Sequence, residues 1–322
     1  MDNTSDSLWL IDTSFSFIDS IAFEYLFRRL NIVAITCVGT QNNPTCLIKQ
    51  KLLKQMNSVN PNLKIEIYEG SNIPFIDYEK ELGDDKIINP YEINNSNFSE
   101  TAESPTQTIA LENVAAVKIL DAINTYGKKL NILTLGPLTN LAIAVLIDAS
   151  IAEKVNSLVI TGGSLNNWGN SGNAAEFNFR YDPVAAKNVV KYFSKNKIVI
   201  PLEIDRELSP KVFNENIVNQ IKNKQVKEKF NSVISNLNQK GKETEFSLVN
   251  FNTLSLFSSL YAINSKILSV SVVYPADIDI IGKLTRGILV MEKYLHVQSG
   301  NLTPTHFATF YNEKDVLELI II

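Results

Sequence analysis

The side chains able to do chemistry in this chain are unevenly placed. Asp12 closes an apolar run, and Asp19 stands seven residues later inside a segment of helical period. One carboxylate at a strand end and one in the first helical turn suit a shared cation or a polar ligand. They equally suit an N-terminal cap and a favourable first-turn charge. A second concentration begins at Thr161-Gly162-Gly163, continues through Asn166, Asn167, Trp168, Gly169, Asn170, Gly172 and Asn173, and ends in Ala175-Glu176-Phe177-Asn178. Glycine and asparagine supply turns with positive φ, while Asn and Glu offer donors and acceptors to a polyhydroxylated ligand. A solvated Asn-rich loop is the plainer reading. A third segment, Leu135-Gly136-Pro137-Leu138-Thr139-Asn140, reads as a Gly-Pro turn opening a helix.

Other chemistries lack material. The only histidines are His296 and His306, so a His-based triad or multi-His metal site would have to use both, and the only cysteines are Cys37 and Cys46, which excludes a Cys quartet or a disulfide framework. Both histidines read as surface or interface residues. The chain has 322 residues, 30 Lys+Arg against 34 Asp+Glu and a net charge of −4, which speaks against nucleic-acid binding by phosphate neutralisation. Lys222, Lys224, Lys227 and Lys229 read as a solvated helix face. With 45% hydrophobic and 20% charged residues the composition is that of a folded globular protein. No uncharged apolar stretch reaches ~18 residues, so no membrane span is expected. The polar, acidic start Met1-Asp2-Asn3-Thr4-Ser5-Asp6 shows no signal-peptide pattern, and an intracellular location is expected.

The elements that must position these groups alternate. Residues 7–12, 31–38, 63–68, 131–135, 157–161 and 197–204 read as strands, with helices over 17–26, 109–126, 140–147 and 183–193 between them. Such alternation predicts an α/β fold with a mostly parallel, doubly wound central sheet, whose ligand crevice lies beyond the C-terminal strand ends. Residues 270–279, 286–292 and 305–310 read as later strands, and 216–261 as helices within a helical region over 211–262. The polar stretch 77–105 is too long for a simple connection and reads as a lid or an excursion. With no repeat and no Pro/Gly linker, one domain over 1–322 is expected. Trp9 reads as core, and Trp168 as a ligand stack or an interface anchor.

Taken in order, these segments resemble the inosine/uridine-preferring nucleoside hydrolase family. The run GPLTNLA at 136–142 and the GG…N…AEFN…DP pattern from Gly162 to Pro183 carry most of the likeness. Ala34-Ile35-Thr36, IYEGSNIPF at 67–75 and GKLTRG at 282–287 extend it over nearly the whole chain. The resemblance implies a single nucleoside hydrolase-like domain with a helical subdomain. It also implies cleavage of the N-glycosidic bond of ribonucleosides, with a calcium ion binding the ribose hydroxyls and a water that an aspartate deprotonates.

The chain departs from the family pattern where that chemistry resides. The family's DTDPGxDDA motif meets Asp12-Thr13-Ser14-Phe15-Ser16-Phe17-Ile18-Asp19-Ser20. Ser14 therefore takes the position of the metal-bridging catalytic base, and Ile18 that of the sugar-contacting carboxylate. Asp12 matches a supporting residue, and Asp19 matches a metal ligand. A late His-Asp pair falls on Leu254 and Ser255, removing the acid that assists the leaving base and the last metal carboxylate. The HGxDG-like segment is not found in 77–105, and an asparagine position maps with a gap to Thr40. Leu135 matches a ligand acting through its main-chain carbonyl, so Asp19 and Leu135 are a vestigial metal set. Asn170, Glu176 and Asn178 match ribose-contacting positions.

The expectation that follows is a pseudoenzyme that binds no calcium and serves as a structural or regulatory subunit of a homo-oligomer or larger assembly. Two alternatives stand beside it. A divergent active N-ribohydrolase would rebuild the metal site from Asp19 with Asp205, Glu207, Asp84, Asp85 or Glu92. A non-hydrolysing protein would bind a nucleoside or ribose through Asn170, Glu176 and Asn178.

Overall fold

The structure, a computed structural model, describes residues 7–78, 114–172, 174–240, 253–293 and 302–321. Five short apolar segments come first into register as parallel neighbours: β1 (Leu8–Thr13), β2 (Asn31–Cys37), β3 (Ile67–Glu69), β4 (Leu130–Thr134) and β5 (Ser157–Thr161). β4 and β5 are buried at every position, as strands covered on both faces must be. β6 (Lys197–Ile200) continues the parallel set. β7 (Leu268–Ile278), β8 (Leu289–Met291) and β9 (Thr303–Tyr311) complete it. The order is β3-β2-β1-β4-β5-β6-β9-β7-β8, and β7 alone runs against its neighbours.

Helices cover both faces. On one side α1 (Phe17–Arg29), α2 (Thr45–Val59), α8 (Leu202–Val212), α10 (Lys224–Lys240) and α11 (Leu254–Ile263) share a core with Trp9, Ile11, Ile35, Leu133 and Phe257. On the other, α3 (Val114–Tyr126), α4 (Thr139–Ile147) and α7 (Pro183–Tyr192) pack on Leu10, Ile132, Leu158 and Val199. Shorter helices α5 (Ile151–Lys154), α6 (Phe177–Tyr181) and α9 (Glu215–Gln220) link these, and α12 (Glu313–Ile321) ends the described chain. The predicted α/β class, the mostly parallel sheet and the single domain are all found, and α9 to α11 lie within residues 215–263.

Several readings need correction. The segment 63–68 contributes only β3, because a turn after Asn60 uses up its start, with Leu63 N–H bonded to the Asn60 carbonyl at 3.0 Å. The strand read over 197–204 stops at Ile200. Pro201 cannot donate to a ladder, and α8 follows it directly. Helices α2 and α12 were not anticipated, although Ile48, Leu52, Gln55 and Met56 bury one face of α2 at helical spacing. The face of lysines is not uniformly solvated: Lys229 turns inward to Glu24 at 2.7 Å and to the Ser20 carbonyl at 2.9 Å. Trp9 is core and His306 is exposed, as read. The excursion beyond Tyr78, His296 and residues 241–252 of the helical region lie outside the described residues.

Candidate functional site

The sheet's connection reverses direction between β1 and β4, which places a topological switch point there. Four chain segments meet at these strand ends: the turn after β1, the GPLTN turn after β4, the residues after β3 and the loop after β5. Gly136 permits the closest approach. A Cβ on it would stand 2.7 Å from the Ser14 nitrogen.

The turn after β1 is tight. Phe15 adopts a left-handed φ of 50°, costly for a non-glycine residue, and its N–H donates to Thr13 Oγ1 at 2.9 Å. Ser16, not Asp12, caps α1. Its Oγ accepts from Asp19 N–H at 3.2 Å, and Asp19 returns the bond by accepting from Ser16 N–H at 3.0 Å, which closes a capping box. Asp19 also accepts from Ser16 Oγ and Thr13 Oγ1, each at 2.9 Å. A further hydroxyl, from Ser255 at the start of α11, completes the set. Burial raises the Asp19 pKa, and the bonds from Ser255, Ser16 and Thr13 oppose that shift. Both carboxylate oxygens are thus held by hydroxyl and amide donors.

A calcium ion asks for six to eight oxygens and several negative charges. Among the described residues, the positions that match metal ligands keep one carboxylate, Asp19. Ile18 and Leu254 are buried in the apolar core beside it. Asp205, a rebuilding candidate on α8, instead holds Thr253, the residue before α11: it accepts from Thr253 N–H, from Thr253 Oγ1 at 2.5 Å and from Ser209 Oγ at 2.8 Å. Burial raises its pKa to about 6 against those bonds. Glu207 is exposed, and Asp84, Asp85 and Glu92 lie outside the described residues. Among the described residues no three His, Cys, Asp or Glu side chains gather as a metal site. The donor set among the described residues does not fit calcium.

On the other side of Ser14, the GPLTN turn acts as a knot. Asn140 Nδ2 donates to Asp12 Oδ1 and to the Cys37 carbonyl, both at 2.9 Å, and Asn140 Oδ1 accepts from Ser71 N–H at 2.9 Å. Thr139 Oγ1 donates to Asp182 Oδ2 at 2.7 Å, which also accepts from Phe75 N–H at 3.0 Å. Asp182 Oδ1 then caps α7 through Ala185 N–H at 3.0 Å. Burial lifts the Asp182 pKa to about 6 against bonds from Ala185, Thr139 and Phe75. Asp12 is likewise fully buried, and its pKa rises to about 6 against bonds from Thr36 and Asn140. Its Oδ2 has no hydrogen-bond partner.

The loop after β5 holds the sugar-contacting candidates close together but turned on their own backbone. Glu176 caps α6, its Oε2 accepting from Gly163 N–H at 3.0 Å and Phe179 N–H at 3.3 Å. Gly163 has φ 74°, and a Cβ there would meet the Phe179 ring at 3.0 Å. Asn178 donates to the Thr161 carbonyl at 2.9 Å, and Asn170 Oδ1 accepts from Phe177 N–H at 2.9 Å. Glu203 pins the loop's far side through Ser164 Oγ and the Leu165 and Asn166 amides at 2.8 to 3.0 Å. Trp168 is left 72% exposed, with the Arg206 guanidinium 5.8 Å from its ring.

Ser14 and Asp19 therefore share one turn with Leu135 beside it, the Leu135 N–H bonded to the Asp12 carbonyl at 2.8 Å. Glu176, Asn178 and Asn170 form a second group on the loop after β5. Sequence reasoning passed over Glu203, for which no pattern exists, and over Thr13, Asn140 and Ser255 as bonding partners. Asn140 alone had a signal, since it sits inside the GPLTN run.

The sequence matches the model for inosine-uridine preferring nucleoside hydrolases over residues 9–318. It is 28% identical over 179 residues to a probable uridine nucleosidase 2 of Oryza sativa subsp. japonica, covering 55% of this chain and 51% of that protein. To uridine nucleosidase 1 of Arabidopsis thaliana it is 29% identical over 201 residues, covering 62% and 57%. The chain thus spans about half the length of the curated relatives it matches. Among solved structures, a plant nucleoside hydrolase, PpNRh1, superposes over 98% of both chains with TM-score 0.77 and 19% identity. An inosine-guanosine nucleoside hydrolase does so over 98% of both with TM-score 0.75 and 20% identity. These likenesses establish the fold.

Proposed function

The chain belongs to the inosine-uridine preferring nucleoside hydrolase family, and we propose that it is a non-catalytic member, a pseudoenzyme that acts as a structural or regulatory subunit. The observation that carries this reading is the bonding of Asp19. Its carboxylate accepts from Thr13, Ser16 and Ser255 where the family pattern would set it on a metal. The residues that match reactive positions now serve the fold. Ile18 and Leu254 fill core volume, Ser255 bonds Asp19, and Ser14 has only a hydroxyl.

Hydrolysis of an N-glycosidic bond needs a base for the water, charge stabilisation at the sugar and an acid for the leaving group. A serine hydroxyl does not deprotonate water near neutral pH without a base to activate it. Loss of one general acid or base costs roughly 10²–10⁴ in rate. Here the base, the acid and every metal carboxylate but Asp19 are replaced together. The groups that match sugar contacts, Asn170, Glu176 and Asn178, bond the loop's own backbone, which supports a structural reading of their retention.

The test has two parts. The metal-stripped protein is titrated with Ca²⁺ by calorimetry, and the expected result is no site of micromolar affinity. Inosine and uridine are then offered with and without Ca²⁺, and no release of free base is expected. Turnover that disappears in a Glu176→Ala variant would sink the proposal.

A further inference from the structure

A crevice opens at the end of the sheet away from the strand-end site. α1 starts beside that site at its Ser16 cap and runs thirteen residues, roughly 20 Å, to the start of β2. Its last two turns form one wall of the crevice, the turn between α9 and α10 a second, and the end of α12 a third. The floor is apolar, with Ile221, Val226 and Ile320 all buried. Two bonds fix α12 against the other walls. Tyr25 Oη donates to the Ile320 carbonyl at 2.9 Å, and Lys222 N–H donates to the Ile321 carbonyl at 3.2 Å. Asn223 sets the start of α10, its Oδ1 accepting from Val226 N–H at 3.1 Å. Every lining residue is a described one, and the crevice measures about 40 Å³.

The rim is basic. Arg28 and Arg29 end α1, Lys222 and Lys224 stand on either side of Asn223, and all four are exposed. Glu24 is the one carboxylate that lines the crevice, and its charge is already met. It accepts from Arg28 Nη1 and Lys229 Nζ, each at 2.7 Å, and from Gln55 Nε2 at 3.1 Å. On α12, Glu313 and Glu318 pair with Lys211 and Lys314. Lys224 reaches Glu228 only at 3.9 Å, and Arg29 and Lys222 have no ion pair among the described residues. In a chain of net charge −4, uncompensated positive charge is thus gathered around one apolar hollow.

We propose that this crevice docks an acidic peptide segment of a different protein. One aliphatic side chain of the segment fills the apolar floor, and flanking carboxylates meet Arg29 and Lys222. The size fits that occupant. About 40 Å³ holds roughly three waters, the bulk of one branched aliphatic side chain, and is far below the ~300 Å³ at which pockets for whole small molecules begin. The charge fits it too, since cations around an apolar centre select and orient an acidic partner. A bare anion would use the rim and waste the floor, and a nucleic acid needs a longer basic track than four side chains. A second copy placed about a two-fold axis here would set the same cations face to face. The inference stands on the crevice alone, so nucleoside hydrolysis by this chain would leave it intact.

The experiment is fluorescence anisotropy of a labelled peptide, Glu-Asp-Glu-Leu-Asp-Glu-Glu, titrated with the full chain at low salt. Saturable binding with Kd below ~100 μM is expected, weakening as salt rises. Arg29→Glu and Lys222→Glu should each raise Kd ~10-fold or more. Both fall on exposed side chains outside the Glu24 bonds, and an unchanged melting temperature checks that each variant folds. Replacing the leucine of the peptide by glycine should cost a similar factor, because the floor is then left open to water. Hydrogen exchange locates the contact: amides of residues 221–226 should exchange more slowly when the peptide is bound. No binding at ~100 μM peptide, or affinity indifferent to both charge reversals, overturns the proposal. Equal affinity for the glycine peptide overturns it as well, leaving attraction of anions only. So does equal competition by an RNA oligonucleotide of the same charge.

Discussion

Asp12 holds an orphaned, fully buried oxygen at the end of β1, and that atom makes a prediction. With Oδ2 unpartnered and its pKa raised to about 6 by burial, the ionised carboxylate costs the folded state more than the unfolded one. The folded pKa lies above the unfolded value of 3.8, so the protonated form supports folding and that support fades as pH rises through about 6. Asp12→Asn keeps the acceptor for Thr36 and Asn140 and discards the charge. At about pH 8 it should stabilise the protein by roughly 2–3 kcal/mol, and near pH 4 it should change little. Urea denaturation at both pH values checks this, and a destabilised Asn variant at the higher pH would count against it. At this scale the sequence was informative about replacement but not about consequence. Motif spacing alone located Ser14, Ile18, Leu254 and Ser255. It could not tell that Ser255 bonds Asp19, because that contact depends on where α11 begins relative to α1, some 235 residues away in the chain.

Among the elements, α4 and the turn before it bear more than their own helix. Asn140 joins the end of β1, the end of β2 and the segment after β3, and its neighbour Thr139 joins Asp182 at the cap of α7. Asn140→Ala would leave the Cys37 carbonyl and the Ser71 amide without this partner. About 3 kcal/mol of stability should go with them, since an unmet buried polar group costs roughly 1–3 kcal/mol. Chemical denaturation measures the loss, and a change below about 1 kcal/mol would show that the three loops hold themselves. The order of strands and helices was legible because buried parallel strands read as short apolar runs. What escaped was local. Lys and Gln dilute the apolar face of α2, and the apolar residues flanking Pro201 made one strand of what are β6 and the start of α8.

Across the whole molecule, the buried charges should give stability an unusual pH profile. Asp12, Asp182 and Asp205 are each raised to about 6, so the folded state binds the extra protons between about pH 4 and 6 and stability falls as pH rises there. Lys197 is 3% exposed and donates to the Pro304 carbonyl at 3.0 Å, and burial lowers its pKa to about 7. From about pH 7 to 10.5 the unfolded state binds the extra proton, and stability rises. Asp148 and Asp279 shift downward and act the other way at low pH, but they sit near solvent, where such effects are screened. Unfolding free energy measured from about pH 4 to 10 should therefore dip between about 6 and 7, and Lys197→Met should flatten the alkaline limb. A single maximum near neutrality would refute the profile. The packing of Ile18 and Leu254 has a last consequence, for reversibility. Each is a core residue, so an aspartate placed at position 18 by itself would bury a carboxylate among apolar groups. A step toward the family motif loses stability before the remaining steps could repay it. At this position the core acts as a ratchet against a route toward the motif taken one residue at a time.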